Sequence, residues 1–176
     1  YALWTTMRDL KNVWVSEVGD LEFAQDNEKL LFALKAIDSH DAVAPLLAAY
    51  QGEGLTPKQQ RATLDAITTH ANARELGTVT EHILNSSDAN ESDRAKQLQK
   101  VVSTSKRRNL KPRGNLDTIG NLIKKSEDEL KIAAIAAAGQ WKLEDQRSTI
   151  EDLATKKKTP APIRTSAINA LAALGG

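Results

Sequence analysis

The chain has 176 residues, of which 40% are hydrophobic, 27% charged and only 4% aromatic, with a formal net charge of +1. That balance excludes a disordered segment; no apolar run approaches the ~20 residues of a membrane helix, so no membrane insertion is expected, and the opening residues do not read as a signal peptide. Cysteine is absent, which excludes disulfides, zinc–thiolate sites, iron–sulfur clusters and covalent c-type haem within this segment and leaves the compartment open.

Ala, Leu, Ile and Val supply most of the apolar content, which favours closely packed helices over sheet. No stretch alternates apolar and polar residues long enough for a strand. The opening "YALWTTMRDL" reads as a helix over 1–8, followed by a second over 9–18. A helix over 27–38 follows, then one over 40–51 whose Val43, Leu46, Leu47 and Tyr50 fall at i, i+3, i+4 and i+7, one buried face of a helix. Gly52 and Gly54 break the chain, and Thr56-Pro57-Lys58-Gln59 is a capping box with proline at the first helical position, opening a helix over 57–70. Asn72 with Glu75 opens 73–85, striped by Leu76, Val79 and Ile83; Asn90 with Asp93 opens 91–105. Leu116, Ile119, Leu122 and Ile123 stripe a helix over 116–125. Ser126-Glu127-Asp128-Glu129 reads as a further capping box before 128–141; a helix over 145–156 comes next, and Thr159-Pro160 opens the last, over 161–174.

These eleven helices fall into five pairs and one unpaired member. An aliphatic residue, a spacer, a small residue and another aliphatic or small residue recur in "LKAI", "LDAI", "IAAA" and "INAL", more weakly in "LWTT" and "LQKV". The anchors are Leu3, Leu34, Leu64, Leu98, Ile135 and Ile168, spaced by 31, 30, 34, 37 and 33 residues. "KIAAIAAAGQW" and "RTSAINALAALGG" are the nearest copies, with Lys131 over Arg164. A two-helix unit repeated at such spacing points to an α-solenoid. The fixed period and aromatic marks of tetratricopeptide repeats, and the ankyrin T-P-L-H signature, are missing.

The basic residue upstream of the anchor and the Ala-rich first helix of each unit resemble HEAT-type repeats. More narrowly, "YALWTTMRDL", "LLFALKAIDSHDAVAPLL", "NLDTIGNLI", "AAGQWKLEDQRSTIEDLA" and "IRTSAINALAALGG" are similar to the HEAT-like segment of large bacterial secreted proteins that combine a propeller-type dehydrogenase-like domain, HEAT-like repeats and a c-type cytochrome domain. The resemblance implies a right-handed α–α superhelix of the HEAT/armadillo kind, about five and a half two-helix repeats, in one domain over residues 1–176. It implies an extracytoplasmic or periplasmic setting, and a parent protein that is an oxidoreductase while this segment is not an enzyme. The opening inside a helix and the unpaired last helix lead us to expect a fragment of a longer chain, whose last apolar stripe is an artificial end.

Catalytic constellations are not found in the sequence. His40, His70 and His82 have no metal-ligand spacing and read as surface or turn histidines. No nucleophile elbow, Ser-x-x-Lys set or phosphate-binding glycine loop occurs. Neither a catalytic residue, a metal ligand nor a cofactor is therefore expected.

Charge is distributed unevenly. Residues 1–92 hold 7 Lys/Arg against 14 Asp/Glu, net −7; residues 93–176 hold 17 against 9, net +8. The basic half contains Lys106, Arg107, Arg108, Lys111 and Arg113, then Lys124 and Lys125, the candidate site for an anionic partner. The competing reading is solvated turn charge, favoured at helix C-termini by the dipole. Of the tryptophans, Trp4, Trp14 and Trp141, core packing is expected, with an exposed one marking a binding hot spot. The function expected is a scaffold or protein-interaction module whose partners are other proteins or adjacent domains of the same chain; the alternative is a HEAT-like nucleic-acid binder, similar to HEAT-like DNA glycosylases, using the basic half.

Overall fold

The computed structural model describes residues 2–20, 25–86 and 90–175. Across them the chain forms eleven α-helices linked by turns and short 3-10 segments, with no strand, and the all-α expectation holds. Tyr1 and Gly176, at the limits of the expected first helix and the closing sequence, lie outside the described residues. Contacts gather into two compact units, Tyr1–Glu75 and Leu76–Gly176.

The first unit holds α1 (Ala2–Asp9), α2 (Lys11–Trp14), α3 (Asn27–Ile37), α4 (Val43–Gln51) and α5 (Pro57–His70). The start of α6 (Ala73–Asn85) also belongs to it. Its core is built from Leu31, Leu34 and Ile37 of α3 and Leu64 and Ile67 of α5, together with the stripe read from the sequence on α4, Val43, Leu46, Leu47 and Tyr50. Each such Leu or Ile, fully buried, stabilises the fold by roughly 1.5–3 kcal/mol. Helix α3 packs on α1, α4 and α5. The Thr56–Gln59 capping box forms as expected: Gln59 N–H donates to Thr56 Oγ1, and Thr56 N–H donates to Gln59 Oε1. Asn72 and Glu75 form another: Asn72 Oδ1 accepts from Glu75 N–H while Glu75 Oε2 accepts from Asn72 N–H.

The expected second helix over 9–18 is short. Only Lys11–Trp14 is α-helical, and Val15–Asp20 continue as a 3-10 helix. Two other second helices begin with 3-10 turns, at His40–Ala42 and Glu144–Gln146.

The second unit holds the rest of α6, then α7 (Glu91–Arg108), α8 (Thr118–Lys125), α9 (Asp128–Gln140), α10 (Arg147–Thr155) and α11 (Ala161–Leu174). Helix α9 packs against α7, α8 and α11. It is apolar nearly all round, as a helix with neighbours on several sides must be, with Leu130, Ala133, Ala134, Ile135, Ala137, Ala138 and Gly139 buried. The two near-copies of the sequence are thus α9 and α11, and they lie against each other.

Two sequence expectations are corrected. The box expected at Ser126–Glu129 does not form: Glu127 is the N-cap residue and gives no side-chain cap. Its N–H donates instead to Glu91 Oε2 at 2.8 Å, and Glu129 Oε2 accepts from Ser92 Oγ at 2.7 Å, so the start of α7 supplies what the local box would have supplied. The six anchors are also not equivalent. Leu34, Leu64, Leu98 and Ile135 are buried, whereas Leu3 and Ile168 are more than half exposed, because α1 and α11 have no described helix on their outward sides.

Candidate interaction surface

The basic residues picked out from the sequence do not form one patch. Lys106, Arg107 and Arg108 end α7, and Lys111 and Arg113 lie in the loop that follows. This loop is pinned over α6: the Arg113 carbonyl sits where a Cβ on Gly77 would be, and Glu81 Oε1 accepts from Asn115 N–H at 2.8 Å. Lys124 and Lys125 end α8, which leads into α9 through Ser126 and Glu127 alone. The bonds of Ser92 and Glu91 to Glu129 and Glu127 bring the starts of α7 and α9 together. Lys124 and Lys125 therefore belong to the N-terminal end of α7, and the other five to its C-terminal end, separated by about 27 Å of an 18-residue helix. Lys106, Arg107, Lys111 and Arg113 are exposed and have no ion-pair partner among the described residues; Arg108 is half-buried.

The tryptophans divide differently from expectation. Trp14 and Trp141 are core residues at 8% and 1% exposure, and Trp14 Nε1 donates to the Met7 carbonyl at 2.9 Å, tying α2 to α1. Trp4 is 37% exposed. It stands edge-on to Phe32 of α3, ring centroids 5.4 Å apart and planes at 78°, the geometry the ring quadrupoles favour. Phe32, at 39% exposure, falls off the buried stripe of α3 because Leu31, Leu34 and Ile37 already face the core. None of the described α1 residues is buried.

This aromatic pair forms a ridge between three open depressions of the first unit. One, of about 260 Å³, has Leu34, Ala42 and Leu46 below Trp4, and Asp38, Ser39 and His70 at its edge. The middle one, about 410 Å³, lies between Trp4 and Phe32 over Leu31 and Ala62, bordered by Lys35, Lys58 and Glu28. The third, about 470 Å³, adjoins Phe32 with Leu3 and Met7, edged by Asp26, Glu28 and Lys29. In the sequence Trp4 is not distinguished from Trp14 and Trp141, all three being expected in the core, and Phe32 does not stand out, since its helical position alone distinguishes it from a core residue.

The histidines at 40 and 70 are structural ties. His70 Nε2 is 2.9 Å from Asp38 Oδ1, and His40 Nε2 is 3.0 Å from Glu75 Oε2, within the capping box of α6. Lys11 bridges to Asp41 at 2.6 Å; this bond, with that of Ser39, holds the Asp41 carboxyl below its ordinary value. Asp26, N-cap of α3, is likewise lowered by the N–H groups of Lys29 and Glu28. Burial pushes the Tyr50 phenol up and the half-buried His82 down. Among the described residues no three His, Cys, Asp or Glu side chains could jointly hold a metal ion, and no helix is long and apolar enough to cross a membrane.

Several side-chain bonds between distant parts of the chain fall within a narrow range of separations. His40–Glu75, His70–Asp38, Glu81–Asn115, Ser92–Glu129 and Ser166–Ile132 span 35, 32, 34, 37 and 34 residues. No protein-family model, curated protein or solved structure matches the chain.

Proposed function

We propose that the chain is a HEAT-like helical-repeat module, a right-handed α–α superhelix of about five and a half repeats, that works by binding and not by catalysis. The bonds whose separations fall in the range of the repeat spacings support the architecture, because a repeat array makes its contacts between neighbouring units. So does the packing of α1 on α3 and α3 on α5 in the first unit, and of α7 on α9 and α9 on α11 in the second, first helix on first helix. The binding role is carried by one observation, the part-exposed Trp4–Phe32 ridge with apolar depressions on both sides. Aromatic side chains in such half-open settings dominate protein recognition. The resemblance to the HEAT-like segment of secreted dehydrogenase–cytochrome proteins supports a scaffold role, holding adjacent domains of a larger bacterial protein outside the cytoplasm.

The experiment is selection of a randomised peptide library on the purified chain. Binders that compete with one another, and whose affinity falls when Trp4 or Phe32 is replaced by Ala in a chain of unchanged helical circular dichroism, are the expected result. Failure to recover any binder sensitive to these substitutions rejects the reading.

A second reading rests on the run from Lys106 to Arg113, where four exposed cations lack ion-pair partners among the described residues. It makes the second unit a nucleic-acid binder through phosphate contacts. Its test is duplex DNA titrated at low salt, where affinity should fall with added salt with a log–log slope of about −0.9 per neutralised phosphate; absence of binding at low salt removes it.

A further inference from the structure

Residues 94–116 hold eight Lys/Arg and no Asp or Glu. Arg94 is nearly buried against the carbonyls that end α6, and the others reach the surface. Lys100, Ser103 and Arg107 fall at i, i+3 and i+7 on the solvent face of α7, with Lys106 beside them. Helix α9 extends this face. It starts level with α7, where Ser92 meets Glu129 and Glu91 meets Glu127, offsets of 37 and 36 residues, and packs along it in the same direction. Gln140 therefore lies beside Ser103, and Lys142 beside Ser105. Lys142 is exposed, has no ion-pair partner among the described residues, and sits at φ 54°. Asn109 and Gly175, each 33 residues from it, hold the matching position after α7 and α11 at φ 49° and 94°. A left-handed backbone suits Asn and Gly but not Lys, so this cation is held against local preference, as residues at functional sites often are. The acids of this face, Asp93 and Glu129, belong to the opposite end, about 20 Å away along α7, where they meet Lys96 and Ser92. At the basic end Glu81 is bonded to Asn115 N–H and Glu144 to Arg147. That leaves Asp117 and Asp145 against Lys106, Arg107, Lys111, Arg113 and Lys142. The helix dipole favours cations only in the last turn, so it does not account for Lys100, two turns inside α7, or for Arg113, which lies over α6.

We infer that this end of the second unit, built from α7, the loop after it and Lys142 of the next repeat, binds the phosphate backbone of double-helical nucleic acid without reading its sequence. This rests on the second reading above and specifies its partner. Residues 76–176 contain a single aromatic residue, Trp141, and it is 1% exposed. The face therefore offers no ring on which an unpaired base could stack, and stacking is what single-strand binders rely on. Phosphate contacts alone remain, and a duplex presents about twice the charge per unit length of one strand. Lysine, arginine, Ser103 and Gln140 are the donors that position a nucleic-acid backbone. A protein partner is disfavoured, because no large apolar side chain is exposed among these residues to form the core of an interface.

Fluorescence anisotropy with two 20-bp DNA duplexes of unrelated sequence, and with their separate strands, tests this at low salt. The duplexes should bind alike and more tightly than the strands, with a log–log salt slope between about −3 and −5, the release expected for four or five neutralised phosphates. Lys106→Glu/Arg107→Glu should weaken duplex binding at least about tenfold. Lys142→Asn removes the distant cation while placing in the left-handed position a residue that suits it, so the chain should fold at least as well and bind more weakly. Lys124→Glu/Lys125→Glu, at the far end of α7, should change little. Tighter binding of single strands, equal loss from the 124/125 pair, full retention in Lys142→Asn, or displacement of the duplex by polyglutamate at equal charge overturns this assignment while binding of nucleic acid stands. Absence of any binding at low salt removes both.

Discussion

Gly139 of α9 lies so close to Ala170 of α11 that a methyl group on Gly139 would sit 2.6 Å from the Ala170 Cα and 2.9 Å from its Cβ. Backbone, not a flexible side-chain end, occupies that space, so the two helices would have to separate. Replacing Gly by Ala in a helix interior normally stabilises by about 1 kcal/mol. Here the overpacking cost of about 1–3 kcal/mol should exceed it. Gly139→Ala is expected to lower the urea midpoint and Gly139→Val to lower it further, while Gly52→Ala, at an exposed site, should change it little. A Gly139→Ala chain at least as stable as the natural one would contradict the close packing.

Arg94, in the first turn of α7, is nearly buried and turns its guanidinium back to the end of α6: Nε donates to the Ile83 carbonyl at 3.2 Å and Nη2 to the Leu84 carbonyl at 2.7 Å. Arg164 repeats the arrangement after α10, donating to the Lys157 and Thr159 carbonyls at 2.9 and 2.8 Å. Both sit four residues before an anchor. Arg94→Ala should cost about 2–3 kcal/mol, since charged hydrogen bonds are lost and buried carbonyls stranded. Lys at 94 should rescue it only in part, because an ammonium lacks the fork that reaches two carbonyls. Arg164→Ala should cost less, its side chain being half-exposed. Urea unfolding of the three variants checks this; equal losses at 94 and 164 would refute the ranking.

These two arginines also show what is legible in the sequence. Local signals are: the stripes of α4, α6 and α8, the starts of α5 and α6, and the Ala-rich character of α9 and α11 follow from spacing and capping chemistry. Arg94 does not stand out, although it holds the same place before its anchor as Lys131 and Arg164, because "LQKV" is a weak copy. Contacts set by stacking are not legible. The box at Ser126 gives way to Glu91 and Ser92 on another helix. The basic residues look like one cluster in the sequence because nearness along the chain does not reveal that the length of α7 separates Arg107 and Arg108 from Lys124 and Lys125.

The exposure of Trp4 can be read in solution. With Trp14 and Trp141 buried, acrylamide should quench one accessible fraction of the tryptophan emission and leave a protected remainder. Trp4→Phe should remove most of the accessible fraction and blue-shift the remaining emission, while keeping an aromatic ring against Phe32. A Trp4→Phe chain whose quenching matches the natural one would place Trp4 in the core and remove the ridge.

His82 sets the pH dependence near neutrality. Burial lowers its pKa from the ordinary 6.5, so the folded chain holds it neutral where the unfolded chain begins to bind a proton. Below about 6.5 the unfolded state therefore binds more protons than the folded one, and stability falls as pH drops through that window. Above it the contribution is complete. Asp26 and Asp41 act elsewhere: both are depressed from 3.8, so what they contribute is present above that value and is lost only as pH falls through their lower folded values. The urea midpoint should accordingly decline from about pH 7 to pH 5, and His82→Gln should flatten that decline while leaving the acid limb below pH ~4 in place. A natural chain with a flat midpoint across this range, or an equal slope in His82→Gln, would show that His82 is not the group responsible.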